Sequence, residues 1–500
     1  MPSILIKNGC LLDPTLSCEQ RDILIQDDYI TQVAPNITFQ ADTFINASNK
    51  VILPGLISAH THTFNTPLRG LTENLSLQPW LAYINYAYAM LGKNPRDLYL
   101  WNAIGACGLL KNGTTALLEN GRGYQGYLPE IDYESDLNVT AKAFTDVGIR
   151  ATICPMYADL RPSESLPLHL LSDLRSEDIT AMDTFPPPKT DDLTNMLRSL
   201  LIHWQQYRDP LVSFCLGPIQ PYMCSRQLLE ETVELASEFD VAIHTHLLES
   251  KPEVLSSTKM FSQPVVEFLA TIKFLGPHVS FAHAVWLTDR DIEILAETNT
   301  SVVHNPMSNL KLGSGISPIQ TMKARGVNVA LGIDGTGGSN DSANMFETMK
   351  CAALIHKLYG IPSTWIGAPD VFEMCLSGGA KVLRKKIGSL QPGYLADLVI
   401  LGTERLFMMP KANFINQLVF SDVGDSVETV LVGGRIVVEN KEVKTVNESE
   451  LYEEAEESIQ KMYTDITSLN KQIAPALDLL DRLNKSVADH ELPFSRLAHM

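Results

Sequence analysis

Two histidine pairs stand at the ends of apolar runs, and chemistry is legible there first. In Pro54-Gly55-Leu56-Ile57-Ser58-Ala59-His60-Thr61-His62 an apolar run leads straight into His-x-His. Side chains on a strand alternate with period two, so His60 and His62 share a face. At the strand's end both imidazoles can converge on one ion, with ring nitrogens roughly 2.0–2.1 Å from a zinc. The second pair lies in Val241-Ala242-Ile243-His244-Thr245-His246-Leu247-Leu248-Glu249. His246 could ligate the ion, and Glu249 could reach over the water bound there. His244 shares the face of His246 but lies deeper; it reads as a packed or supporting residue, with a ligand role left open. Val279-Ser280-Phe281-Ala282-His283 carries another histidine at a strand end, and Ser301-Val302-Val303-His304 another. Leu331-Gly332-Ile333-Asp334-Gly335 ends on an aspartate. A lone His-x-His is a weak motif, and Asp-Gly by itself is usually a turn. Five such placements, in order along one region, are hard to obtain from packing alone.

The elements that must position these residues follow from periodicity. Between about 54 and 385, strand-like runs (56–59, 241–243, 279–282, 301–303, 327–331) alternate with helical patterns such as 96–111, 226–239, 288–298 and 343–357. Alternation of this kind implies parallel strands joined by crossover helices. The length suits a (β/α)₈ TIM-type barrel. A doubly wound open sheet is the competitor, but no Gly-rich phosphate turn follows the first strand. Both chain ends are strand-rich, and residues 1–53 and 386–445 are expected to combine into a small composite β-sandwich. The fold class is therefore α/β, a barrel over 54–385 with that sandwich attached. Residues 160–195 hold Pro162, Pro167 and Pro186-Pro187-Pro188 and read as an irregular excursion, a lid or a surface insertion. Residues 446–500 read as an acidic helical tail. Glu448–Glu457 has six Glu and no basic residue, the pattern of a solvated helix face without chemistry.

Composition narrows the class. The chain has 500 residues, which fits one large domain with a smaller partner. With 45% apolar and 19% charged residues it is neither disordered nor fibrous. Its 39 basic and 58 acidic residues give a net charge of −19, which argues against a nucleic-acid binder. None of the eight cysteines forms C-x-x-C, so buried thiols in a reducing compartment are expected rather than a disulfide framework. The first residues show no basic segment followed by an apolar one, and no run of about twenty apolar residues exists. A cytoplasmic chain without membrane contact is expected. His169, His203, His278, His356, His490 and His499 sit alone and read as structural or exposed.

As an ordered set, these pieces resemble the amidohydrolase superfamily. The similarity is strongest to its branch of mononuclear-metal deaminases and chlorohydrolases, which includes S-adenosylhomocysteine/methylthioadenosine deaminases and triazine hydrolases. The matching stretches are 53–62, Arg69-Gly70-Leu71, 246–249, Ala282-His283, Ser308-Asn309-Leu310-Lys311-Leu312-Gly313-Ser314-Gly315, Gly332-Ile333-Asp334-Gly335 and 388–399. The resemblance reaches to about 445. It implies that His60, His62 and His246 bind one divalent metal with Asp334 as carboxylate ligand. Zn²⁺ is the default and Fe²⁺ the alternative. It implies that Asp334 accepts the water's proton, that Glu249 protonates the ring nitrogen beside the attacked carbon, and that His283 orients the hydroxide. Trp80, His304 and Asn309 are the candidates for substrate contact. The partners implied are a small heterocyclic substrate and water; barrels of this kind often form homodimers.

Two departures bear on substrate. Adenosyl-thioether members resemble Gly-Pro-His-x-Pro-Tyr-x-x-Ser; here the stretch is Gly217-Pro218-Ile219-Gln220-Pro221-Tyr222-Met223-Cys224-Ser225. Their ribose-binding glutamate falls nine residues after the Trp of Trp-Leu; here that position is Ala89. Both polar contacts to a ribose are lost, which demotes a nucleoside thioether. The favoured reading is a metal-dependent hydrolase that removes an amine or halide from a nucleobase or triazine. Hydrolysis of a cyclic or acyclic amide on the same site is the alternative, and a non-catalytic scaffold is remote.

Overall fold

The computed structural model describes residues 2–12, 18–91, 94–124, 132–183, 187–207, 209–410 and 413–496. Five early strands are β1 (Ser3–Leu12), β2 (Cys18–Gln26), β3 (Tyr29–Ala34), β4 (Thr43–Asn46) and β5 (Lys50–Pro54). The middle strands are β6 (Leu56–His62), β7 (Thr114–Tyr124), β8 (Arg150–Tyr157), β9 (Val212–Phe214), β10 (Gly217–Pro218), β11 (Ile243–Leu247), β12 (Val279–His283), β13 (Ser301–His304), β14 (Val329–Leu331) and β15 (Asp334–Gly335). The late strands are β16 (Leu398–Gly402), β17 (Val427–Val432), β18 (Arg435–Glu439) and β19 (Glu442–Val443).

The two ends share a sheet. β5 pairs antiparallel with β16, Val51 opposite Leu401 and Pro54 opposite Leu398. The result is a nine-stranded sheet in the order β19-β18-β17-β16-β5-β1-β2-β3, with β4 on β1. Alternation explains its two faces. Ile52, Leu398, Ile400 and Leu431 cluster with Ile6, Ile23 and Ile25 on one side. Val51, Leu53, Val399 and Leu401 join the main core on the other side. A sheet buried on both faces needs continuous apolar runs, as in Leu398-Val399-Ile400-Leu401. Asp397, just before β16, forms a buried bidentate pair with Arg150 at the start of β8, at 2.7 and 2.9 Å. That pair ties the end sheet to the barrel region.

All pairings of β6 to β15 are parallel. One sheet runs β10-β8-β7-β6-β15, with β9 on β8; the other runs β11-β12-β13-β14. Leu216 bridges to Ile243 between them. At the opposite margin only Gly332 and Ile333 separate β14 from β15, and the Gly332 N–H donates to the His304 carbonyl at 3.0 Å. This is an α/β arrangement of the TIM-barrel type. Helices fall where periodicity expects them: Pro95–Lys111, Arg226–Phe239, Asp289–Glu297 and Met345–Ile355. Ser225 caps the second, its Oγ accepting the Leu228 N–H at 3.1 Å. One strand is displaced from expectation. The apolar run 241–243 only leads into β11, whose hydrogen-bonded span carries His244 and His246 themselves.

The irregular 160–195 excursion contains short helices, Pro162–Ser165 and Ser176–Met182, and the start of Thr190–Gln206. The acidic tail is one helix, Glu448–Asp489, and it is more than a solvated face. Leu451, Ala455, Met462, Ile473, Leu480, Leu483 and Val487 are buried along it. Ile473 packs with Trp80 and Leu77, and Leu480 and Leu483 pack with Leu168 of the excursion. After the helix, the Arg496 carbonyl accepts the Ile316 N–H at 2.8 Å. Cys107, Cys154, Cys215, Cys224, Cys351 and Cys375 are free thiols, but Cys10 is disulfide-bonded, which corrects the all-thiol expectation. Among the described residues no helix is long and apolar enough to cross a membrane.

Candidate metal and acid–base site

The strand-end residues converge at one end of the parallel strands. β6 delivers His60 and His62, β11 delivers His246, β12 ends on His283 and β15 begins on Asp334. All are buried. Donor atoms of His60, His62 and His246 lie within 4.8 Å of one another, as do those of His60, His283 and Asp334. Asp334 Oδ1 is 3.4 Å from His62 Nε2 and 3.7 Å from His60 Nε2. The His62 and His246 rings are parallel within 3°, and the His60 ring stands across both.

Hydrogen bonding fixes the protonation of these rings. His62 Nδ1 bonds the Asn120 carbonyl and His246 Nδ1 bonds the Ile219 carbonyl, both at 2.6 Å. A carbonyl only accepts, so each Nδ1 carries the proton. In the neutral rings each Nε2 then holds a lone pair, and those two atoms face each other at 3.4 Å. Two lone pairs cannot bond one another; a cation between them resolves the arrangement. Buried His60 Nε2 has no hydrogen-bond partner, with Asp334 Oδ1 at 3.7 Å. Burial holds His60 and His246 well below the ordinary imidazole range, helped by the neighbouring histidines. Neutral nitrogens plus one carboxylate form a donor set that suits zinc. Gly332 makes the close approach possible, since a Cβ there would meet Asn305 Oδ1 at 2.3 Å and His60 Cβ at 2.9 Å.

Glu249 lies beside this cluster. Its Oε2 is 3.5 Å from His283 Nε2, and Ser314 Oγ donates to Oε1 at 3.4 Å. Burial raises its pKa well above the carboxylate range, with the charges of Asp334 and Glu253 adding to the effect. His283 Nε2 also faces Asp334 Oδ2 at 3.7 Å. Backbone strain concentrates here. Leu248, His283, Ala284 and Asp334 have φ of +46°, +69°, +47° and +69°. Non-glycine residues adopt such values at a cost of order 1–3 kcal/mol each, so the surroundings must hold them.

The other expected residues fall as follows. Asn309 accepts from His283 Nδ1 at 2.8 Å and thereby holds that ring. Trp80 Nε1 is buried without a partner beside Gly338 of the Asp334 loop. His304 turns to His356, Nε2 to Nε2 at 3.2 Å, so His356 is paired rather than isolated. His244 bonds His60 and Ser280, and burial takes its pKa down to about 3. His499 lies outside the described residues. Sequence reasoning missed Glu253, Asn120 and Gln220. Glu253 accepts the Glu249 N–H at 2.7 Å. The Asn120 amide and Gln220 Oε1 are buried without partners. Asn120 had a signal: with Glu119 it follows the apolar run Ala116-Leu117-Leu118 on β7.

Comparison with known proteins matches this frame. Residues 51–437 match the model of the amidohydrolase family. A 5-methylthioadenosine/S-adenosylhomocysteine deaminase of Thermococcus sibiricus is 36% identical over 87% of this chain and 94% of its own. A 5′-deoxyadenosine deaminase of Methanosarcina barkeri is 32% identical over 94% of this chain and 100% of its own. An adenosine deaminase structure from Xanthomonas campestris, with bound zinc, superposes with TM-score 0.80 at 24% identity, covering 93% of this chain and 99% of that one. A triazine hydrolase structure from Arthrobacter aurescens gives TM-score 0.80 at 24% identity, covering 92% and 100%. At that identity the two structures speak for the fold, whereas the family match and the two sequence relatives speak for descent and class. The chain belongs to the amidohydrolase family and is a hydrolase of carbon–nitrogen bonds other than peptide bonds.

Proposed function

We propose that this chain is a metal-dependent aminohydrolase that removes an exocyclic amine from an N-heterocycle. The observation that carries the reading is Glu249, a buried carboxyl whose pKa burial pushes up, set against His283, which also faces Asp334, beside the cluster of His60, His62 and His246. Hydrolysis of a cyclic or acyclic amide needs a proton only on the leaving nitrogen and not the full ring-protonating arrangement, so Glu249 counts against it. The reading takes β6 to β15 as one (β/α)₈ barrel over 54–385. It takes the end sheet as a composite sandwich of 1–53 and 386–445, with 446–500 appended.

His60, His62, His246 and Asp334 would hold the metal, which when bound supplies a Lewis acid that acidifies water; zinc is the expected ion. Asp334, through Oδ2, accepts a proton from the attacking water. Glu249 donates its proton to the ring nitrogen next to the attacked carbon and afterwards carries one to the departing amine. His283, held through Nδ1 by Asn309, keeps Nε2 aimed between the two carboxyl groups and orders the attacking oxygen. Trp80 Nε1, the Asn120 amide, Gln220 Oε1, His304 Nδ1 and Asn309 Nδ2 are among the buried polar atoms without a hydrogen-bond partner, and we assign them to reading the substrate's edge. The names of the two relatives favour the amino group of an adenine-type ring. Ile219, packed in the apolar core, and Ala89 speak against their polar grip on a ribose.

Ammonia release from zinc-loaded enzyme tests the reading, with a panel of adenine nucleosides, free bases and aminotriazines. Turnover of at least one ring amine is expected. No turnover of any ring amine, together with hydrolysis of a cyclic or acyclic amide assayed beside the panel, would replace the proposal with amide hydrolysis.

A further inference from the structure

We propose that His244 is a positioning residue that fixes the tautomer of His60 and so tunes the metal site; the inference rests on the metal reading above. The second and third ligand rings lean on backbone carbonyls, which cannot change their hydrogen-bonding character. His60 is different. It lies one strand step deeper than His62, and its Nδ1 meets His244 Nε2 at 2.8 Å. On the far side, His244 Nδ1 meets Ser280 Oγ at 2.7 Å. All three side chains are buried.

The chain of bonds admits one reading when His60 offers its Nε2 lone pair to an ion. His60 Nδ1 then carries the proton and donates it to His244. His244 Nε2 must therefore be the acceptor, so the His244 proton sits on Nδ1 and points at Ser280 Oγ. The reverse tautomer of His244 would donate from Nε2, force the His60 proton onto its own Nε2, and remove that atom from the ligand set. Ser280, on β12, opposes His244 in the parallel register, so the sheet itself holds the third member in place. This accounts for the first histidine of His244-Thr245-His246, whose ring does not reach the cluster of facing Nε2 atoms. Partners of this kind typically contribute roughly 10–100-fold to metal affinity.

The test is zinc affinity by chelator competition, with His60→Ala as reference. His244→Ala should bind zinc roughly 10–100-fold more weakly, whereas His244→Gln, whose side-chain oxygen can accept from His60, should recover most of the loss. Ser280→Ala should fall between them. The wild-type protein, labelled with ¹⁵N-histidine and loaded with zinc, should show His244 protonated at Nδ1, a readout that needs no variant to fold. An Nε2-protonated His244, or His244→Ala with unchanged affinity while His60→Ala loses zinc, overturns the proposal. Zinc retained by His60→Ala overturns the metal reading instead.

Discussion

Glu253 accepts the backbone N–H of Glu249 at 2.7 Å, and its other oxygen takes the N–H of Leu248. One buried carboxylate thus holds the turn that carries another. Leu248, at φ +46°, is the strained link. Glu253→Ala should leave zinc content intact and lower kcat by on the order of 10–100-fold, because the acid shifts from its line of action. A kcat within about twofold of the parent would remove this role.

Glu249→Gln keeps the size and removes the proton. Metal content and KM should change little, while kcat falls roughly 10²–10⁴-fold, about 3–5 kcal/mol of barrier. Zinc analysis alongside kcat on one active substrate checks it. An ordinary loop carboxylate would leave kcat within a few-fold.

A cation between the facing lone pairs of His62 and His246 should stabilise the fold. Zinc at 100 times its Kd should stabilise the fold by about 2.7 kcal/mol, seen as a rise in Tm. His246→Ala and Asp334→Asn should lose most of that rise together with most activity. An equal rise in His246→Ala would exclude this histidine from the ligand set.

Breaking the buried Arg150–Asp397 pair should damage the fold without touching the chemistry. Asp397→Ala strands the guanidinium and also frees the Gly433 N–H, which Asp397 Oδ1 accepts at 2.8 Å. Loss of one partner of such a pair costs about 3–5 kcal/mol. Denaturant unfolding should show that loss, with kcat of the surviving folded fraction unchanged.

Burial raises the Glu119 carboxyl from 4.5 to about 8, partly offset by the Thr63 N–H that it accepts. The folded state therefore binds more protons than the unfolded state between about pH 4.5 and about 8. Its stability contribution is full below that window, declines as pH rises through it, and levels off above. Glu119→Gln removes the titration, so its Tm relative to the parent should climb from about pH 5 to about pH 8. A pH-independent difference would show that Glu119 does not titrate in that window.

The candidate metal cluster was legible because period two and strand ends are written in residue order, and five such placements follow one another along one region. What supports those ligands was not. The carbonyls of Asn120 and Ile219 act through backbone, which any residue type provides. Glu253 sits on the helix after the turn, and nothing in its neighbourhood separates it from a surface glutamate. His304 ends its strand as the others do, yet its Nε2 meets His356, 52 residues away in sequence. In the terminal helix the glutamate run outweighed the apolar stripe of Leu451, Ala455 and Met462, although its helical spacing was there to read.

The composite end sheet has a consequence for how the chain is made. β5 leaves the ribosome about 340 residues before β16, the strand that covers its second edge. At roughly 5–20 residues per second that is a wait of roughly 20–70 s. Through that interval Val51 to Pro54 offer bare main-chain groups on one side, a template for a neighbouring nascent chain. The strands bearing the histidines and Asp334 are all synthesised within the same interval. Each molecule therefore carries its candidate metal-site residues before its end sheet is finished, and the helix Glu448–Asp489, made after both, is the clasp.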